Sequence, residues 1–339
     1  MREARKAGRW ATIAGHELRT QLSGPLFWVL ILLVLLVTST LNPVAMIPSG
    51  DTTVGGVRAF VNSPHALAQT FAIGSFFAYT FFAALMAGLS IVRDDESGIP
   101  PLLHSTPLTP AEYVLGKFAG VIGALGVALA VHVLLSIGFY QAGAWGGASE
   151  AHGPFRLGSY LLPALVFAAP GIWGSAAVAF AVGERTRRPM AVYAVPTLLF
   201  VLTFLLFWNW RPAGLDPRVD RLLTVLDPTS LRWLQNHFEL DRGVAFYNTA
   251  PLPFDGTLLI NRLLVVIGPA LAVLASIRHF RVSLGRDTGR FERRRSPASS
   301  TSPTPAASFR PLRALAMTSR RPGLFAGSWT VLRAEIAEL

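Results

Sequence analysis

RDDESGIPPLLHSTPLTPAEYVLGK, Arg93 to Lys117, lies between two long apolar blocks. An arginine and three acids open it, a double proline breaks it and a lysine closes it. The flanking blocks, about 67–92 and 114–141, contain one charged residue between them, Lys117. Each is longer than the roughly 20 residues that cross a bilayer. The quoted stretch therefore reads as the turn between two membrane spans.

Its local chemistry gives it a shape. Thr109-Pro110-Ala111-Glu112 is a helix start, with Thr as N-cap, Pro at the first position and Glu placed for a capping box. Gly98 and Pro100-Pro101 interrupt the chain upstream, and Leu102-Leu103 form a short apolar patch. The result is a rigid, charged elbow with Asp94, Asp95 and Glu96 at its entrance. Two readings stay open on the residues alone: a docking surface for a soluble partner, or an ordinary short loop.

Four further blocks, about 25–46, 159–183, 190–210 and 258–278, bring the spans to six. The chain is 52 % hydrophobic and 14 % charged, against about 25 % charged in a soluble domain. The fold class is an all-α membrane protein, a six-helix bundle over 25–280. Pro163, Pro170 and Pro196 predict local kinks that neighbouring helices satisfy. The first block exceeds the apolar core of a signal peptide and lacks a small-residue cleavage site, so it reads as an uncleaved span.

The charges sort by side. Residues 1–24, 93–117, 184–189 and 278–339 hold 22 Lys and Arg against 11 Asp and Glu, which is the whole net charge of +11. The remaining segments hold eight of each. The positive-inside rule puts the basic side, and with it both termini, in the cytoplasm. The basic surplus is thus topological, and the aromatic interleaving that would suit nucleic acid is missing.

Outside the spans, Gly8–Ser23 places Trp10, Ile13, Leu18 and Leu22 among polar residues at near-helical spacing. That predicts a surface-lying amphipathic helix within 1–24. The 211–256 segment dips into the outer leaflet, caps the bundle or forms an ordered outer loop, three readings that stay open on the residues alone. Residues 281–324 turn basic and then Ser/Pro-rich, as in a disordered linker, and Arg293–Arg295 suit anionic lipid. Residues 325–339 turn helical again and echo the N-terminal surface helix, which suggests the start of a second half.

Candidate chemistry is sparse. Cysteine is absent and the seven histidines have no close ligand spacing, so no metal site is expected. Gly116-Lys117 lacks the upstream glycine loop and following hydroxyl of a phosphate-binding loop, and no G-x-S-x-G or H-E-x-x-H occurs. No catalytic residue is assigned. His132, deep in the third span, reads as a neutral interhelical contact rather than a proton relay, and Arg262 as a residue that snorkels outward. The acid-poor spans disfavour an ion-coupled carrier. Gly116, Gly120 and Gly123 form a small-residue stripe for helix packing, within the bundle or at a dimer seam.

At the elbow the chain resembles the ABC-2 type permeases, the membrane subunits of ABC exporters. The resemblance rests on Arg93, Glu96, Gly98, Leu102, Leu103, Ser105, Thr106, Pro107, Leu108, Thr109, Glu112, Gly116 and Lys117. Pro100-Pro101 departs from the family's usual small residues. Glu17-Leu18-Arg19 with Gln21-Leu22 and Pro25–Trp28 is similar to the opening of a narrower group, large bacterial two-half permeases often fused to a metallo-aminopeptidase. So are Asp227-Pro228, Tyr247–Thr249, Pro251-Leu252, Gly256 and Asn261–Leu264. The resemblance implies a bacterial inner-membrane permease that moves an unknown substrate and contains no ATPase of its own. ATP and Mg would be bound by a partner ABC ATP-binding subunit whose surface receives the elbow, Glu96, Gly98 and Leu102–Glu112. The surface helix, with Trp10, Glu17, Leu18 and Arg19, would act as a second lever. A second permease half or a homodimer would complete the pathway. The alternatives are a split half-permease inactive alone, and a membrane scaffold that recruits a cytosolic partner without transport.

Overall fold

The computed structural model describes residues 2–97, 108–145 and 149–295. The chain separates into two compact units, 1–289 and 290–339; the contacts below belong to the first. Helix α1 is Arg2–Ser23, α2 Pro25–Thr40 and α3 Pro64–Glu96. Next come α4 (Pro110–Trp145), α5 (Leu157–Thr186) and α6 (Pro189–Asn209). Three short helices, α7 (Pro217–Leu226), α8 (Leu231–Glu239) and α9 (Val244–Thr249), precede α10 (Gly256–Arg295). Among the described residues there is no strand, only an isolated bridge between Val54 and Val57.

Five helices, α3, α4, α5, α6 and α10, are long and apolar enough to cross a membrane, and α1 with α2 makes a sixth candidate bent by 60°. Gly24 carries that bend. A Cβ there would lie 3.3 Å from the carbonyls of Thr20 and Gln21, and Pro25 opens α2. The first span is shorter than the 25–46 expected. It stops at Thr40 because Asn42-Pro43 cannot continue a helix. Gln69 of α3 binds the freed backbone, donating to the Asn42 carbonyl at 3.0 Å and accepting from Met46 N at 2.9 Å.

Helix α3 is the centre of the bundle. Its apolar window is 78 % buried, against 17 % for α6 and 22 % for α10, which lie outermost. Helices α3 and α5 cross backbone to backbone, since a Cβ on Gly183 would fall 2.5 Å from the Gly88 carbonyl oxygen. Each of α3, α5 and α6 contains a π-helical turn, at Ser75–Tyr79, Ala164–Ala168 and Thr203–Asn209. His132 is fully buried against Gly74, where a Cβ would meet the ring at 2.7 Å, and lies 3.5 Å from the Tyr79 hydroxyl. That is an interhelical packing position.

The 211–256 segment caps the end of the bundle remote from α1. Arg232, completely buried, pairs with Asp220 at 2.7 Å and donates to the carbonyls of Leu206, Phe207 and Trp210, closing the C-terminal end of α6. Asn261 of α10 donates to the carbonyls of Thr224, Val225 and Asp227, closing α7. Arg262 does not snorkel outward as expected. It turns inward to Ser230, Asn261 and the Val166 and Pro228 carbonyls, because the cap supplies acceptors that bulk water would otherwise provide. Helix α10 continues to Arg295, inside the 281–324 stretch expected as a linker.

Candidate functional site

At the α1 end, the two arms of the elbow emerge from the core side by side. Helix α3 delivers Arg93, Asp94, Asp95 and Glu96, and Ser97 N closes its last turn on the Arg93 carbonyl at 3.0 Å. Helix α4 begins with the expected capping box. Thr109 N and its hydroxyl each donate to Glu112 Oε2 at 2.8 Å, and Glu112 N donates to the Thr109 hydroxyl at 3.2 Å. Local residues alone therefore orient the start of α4.

One turn further, Lys117 points between three helices. Its Nζ lies 2.9 Å from Glu17 Oε2 of α1 and 2.7 Å from Asp94 Oδ2 of α3, and donates to the Ser90 carbonyl at 2.9 Å. Glu17 is 3 % exposed. Its other oxygen accepts from Gln21 Nε2 at 2.6 Å and lies 3.7 Å from Arg93. Gln21 also donates to the Met86 carbonyl at 3.3 Å. The Tyr113 hydroxyl donates to Asp94 at 2.6 Å. Burying such ions costs several kcal/mol each unless every lone pair and proton finds a partner. Here two carboxylates meet two cations, a phenol and an amide, while the Ser90 and Met86 carbonyls accept from the lysine and the amide.

The glycine stripe lets α1 approach this closely. A Cβ on Gly120 would sit 2.6 Å from Glu17 Cβ, and one on Gly116 2.9 Å from Ile13. Gly123 meets only the tip of Leu18, at 3.4 Å. The stripe thus packs α1 within the chain. Trp10 and Arg19 remain exposed. A groove of about 370 Å³ opens between α1 and the elbow arms, lined by His16, Glu17, Arg93, Asp94, Leu108 and Tyr113 among others.

Of the elbow residues singled out in the sequence, Thr109 and Glu112 form the box, and Glu96 is exposed at the end of α3. Gly98, Leu102, Leu103, Ser105, Thr106 and Pro107 lie outside the described residues. The partnership of Lys117, Glu17, Asp94 and Tyr113 was missed. Two signals pointed to it: Glu17 sits in register with Ile13 and Gln21 on the inward face of α1, and Lys117 is the one cation in an apolar block.

A second cluster stands beside the first. Asp95 pairs with Arg187 at 2.8 Å, and the buried Glu184 is held by His279 Nδ1 at 2.9 and 3.0 Å. It too joins different helices, α3, α5 and α10.

A comparison with curated proteins returned no match. A family model described as ABC-2 family transporter protein matches residues 11–232, from α1 through the elbow into α8. That stretch is well over half of the chain and contains the whole of the Glu17–Lys117–Asp94 cluster, and the chain accordingly belongs to the ABC-2 transporter family, as a multi-pass helical membrane protein.

Proposed function

We propose that this chain is the permease subunit of an ABC exporter, driven by a separate ATP-binding subunit that docks on the elbow at the α1 end. The observation that carries the reading is Lys117 bound to both Glu17 and Asp94. Through it α1, the end of α3 and the start of α4 move as one body, so a push on the elbow or on α1 displaces two spans rather than bending a loop. Glu96, Gly98 and Leu102–Glu112 are the contact residues, and ATP and Mg belong to the partner. The charge surplus at this end supports a cytoplasmic elbow and cytoplasmic termini in a bacterial inner membrane.

A second permease copy or half completes the pathway. The outermost helices α6 and α10 leave most of their apolar windows uncovered, which suits lipid on one side and a second copy on the other. Co-purification tests the reading: the chain should carry a cassette ATPase with it from membranes, and Leu102→Glu should release that ATPase while the permease melts unchanged. A chain that retains no ATPase under any mild extraction contradicts it and favours the scaffold.

A further inference from the structure

The sixth span, α10, lies beyond the residues that the family model matches. Its membrane-spanning part, Gly256–Val282, is nevertheless gripped near both ends. At the α1 end, Glu184 on the last turn of α5 is completely buried, and His279 Nδ1 of α10 lies 2.9 and 3.0 Å from its two carboxylate oxygens. Arg187 takes the left-handed conformation, φ 53°, which turns its side chain back across the helix end. Its Nε donates to the Glu184 carbonyl at 2.8 Å and its Nη1 to Asp95 at 2.8 Å. The guanidinium stands 5.5 Å above the ring of Phe280. Phe280 in turn stacks on Tyr113 at 5.1 Å and 20°, and Tyr113 donates to Asp94.

These contacts close a ring. Asp95 precedes the elbow, Tyr113 follows it, and both reach the same turn of α10, one through Arg187 and the other through Phe280. At the opposite end of the same helix, Asn261 and Arg262 bind the cap through the α7 carbonyls and Ser230. Asn261 and His279 are 18 residues apart on one continuous helix, about 27 Å at 1.5 Å per residue.

We propose that α10 is a lever that carries displacement of the elbow to the cap at the far end of the bundle. Arg187, Glu184 and His279 are the positioning residues at its base, and Asn261 and Arg262 those at its top. The lever rests on the reading of the elbow as the ATPase contact, and it adds that the cap moves with the elbow. A contiguous network between two sites becomes coupling only when breaking it separates their motions.

The chain has no cysteine, so spin labels can be placed at will on the complex of the full chain with the cassette ATPase that co-purifies with it. Cysteines at Ser97 and Met190 report the elbow, and cysteines at Leu222 and Val54 report the cap. Trapping with ATP and vanadate should shift both distances in the otherwise unaltered chain. In Arg187→Gln and in His279→Ala the elbow shift should persist while the cap shift falls by at least about half. Where either variant does not fold, His279→Gln, which keeps an amide facing the buried Glu184, takes its place, since residue 279 itself is partly exposed. A full cap shift in either folded variant overturns the lever. An elbow that does not move in the unaltered chain removes the coupling reading beneath it, a distinct result.

Discussion

Lys117 Nζ sits 2.9 Å from Glu17 and 2.7 Å from Asp94, joining residues that are 100 and 23 positions away in the chain. With Lys117 only 9 % and Glu17 only 3 % exposed, neither charge has water to fall back on. The base of the elbow is therefore an ionic lock in a poorly solvated place.

Lys117→Met leaves Glu17 buried without its closest cation. Removing one member of a buried pair costs about 3–5 kcal/mol, so the variant should melt well below the parent in the same detergent. Adding Glu17→Gln removes the stranded charge and should recover most of the loss. Losses that simply add in the double variant would mean the two residues do not depend on each other.

Gly120→Ala tests the approach of α1 separately from its charges. The new methyl would lie 2.6 Å from Glu17 Cβ and 2.7 Å from the Ala14 carbonyl. Overpacking of this kind costs about 1–3 kcal/mol. Gly126→Ala, on the same helix with nothing within 4 Å among the described residues, should be neutral or stabilise by up to about 1 kcal/mol. Equal effects at the two sites would argue against a tight α1 contact.

Acid should loosen the cap. His237 of α8 is stacked between Trp233 and His65, both at 5.3 Å, and its buried Nε2 has no hydrogen-bond partner among the described residues. Burial, with Arg242 nearby, lowers its pKa from 6.5 to about 4, while Asp255 opposes the shift. A folded pKa below the unfolded one gives stability that is present above pH 6.5 and is lost as pH falls towards 4. His237→Phe keeps a stacked ring and removes the titration, so its melting temperature should fall less than the parent's between pH 6.5 and 4.5. Parallel curves would exclude His237 as the source.

Arg232→Met probes how the cap holds α6. The guanidinium is completely buried, bound to Asp220 and to three carbonyls at the end of α6. Its loss leaves those carbonyls unpaired and Asp220 without its cation, a cost of about 3–5 kcal/mol. Proteolysis within 211–256 should accelerate in the variant. Unchanged cleavage would mean the cap is held elsewhere.

Local chemistry was legible in the sequence and distant partnership was not. The Thr109–Glu112 box was readable because all its atoms lie within four residues. Helices long and apolar enough to cross a membrane stand where spans two to six are expected, because apolar length needs no partner. Apolar length extends the first block to residue 46 because Val44–Ile47 stays apolar past Asn42-Pro43, whereas the helix ends at Thr40. The inward turn of Arg262 is not legible in the sequence because its acceptors, at Val166, Pro228 and Ser230, come from segments more than 30 residues away. Lys117 and Glu17 were each visible as a charge on an apolar face, yet nothing local says that they face each other. The Leu102–Pro107 part of the elbow rests on the family pattern and on the rigid base beneath it.

In the proposed function the elbow passes work between a cassette ATPase and this bundle. Its most direct measurement is the ATPase rate of the partner with and without this chain in lipid nanodiscs, compared with Leu102→Glu and Leu103→Glu chains of unchanged melting temperature. The chain should change the ATPase rate, and either substitution should abolish the change. A rate that responds equally to parent and substituted chains would contradict it.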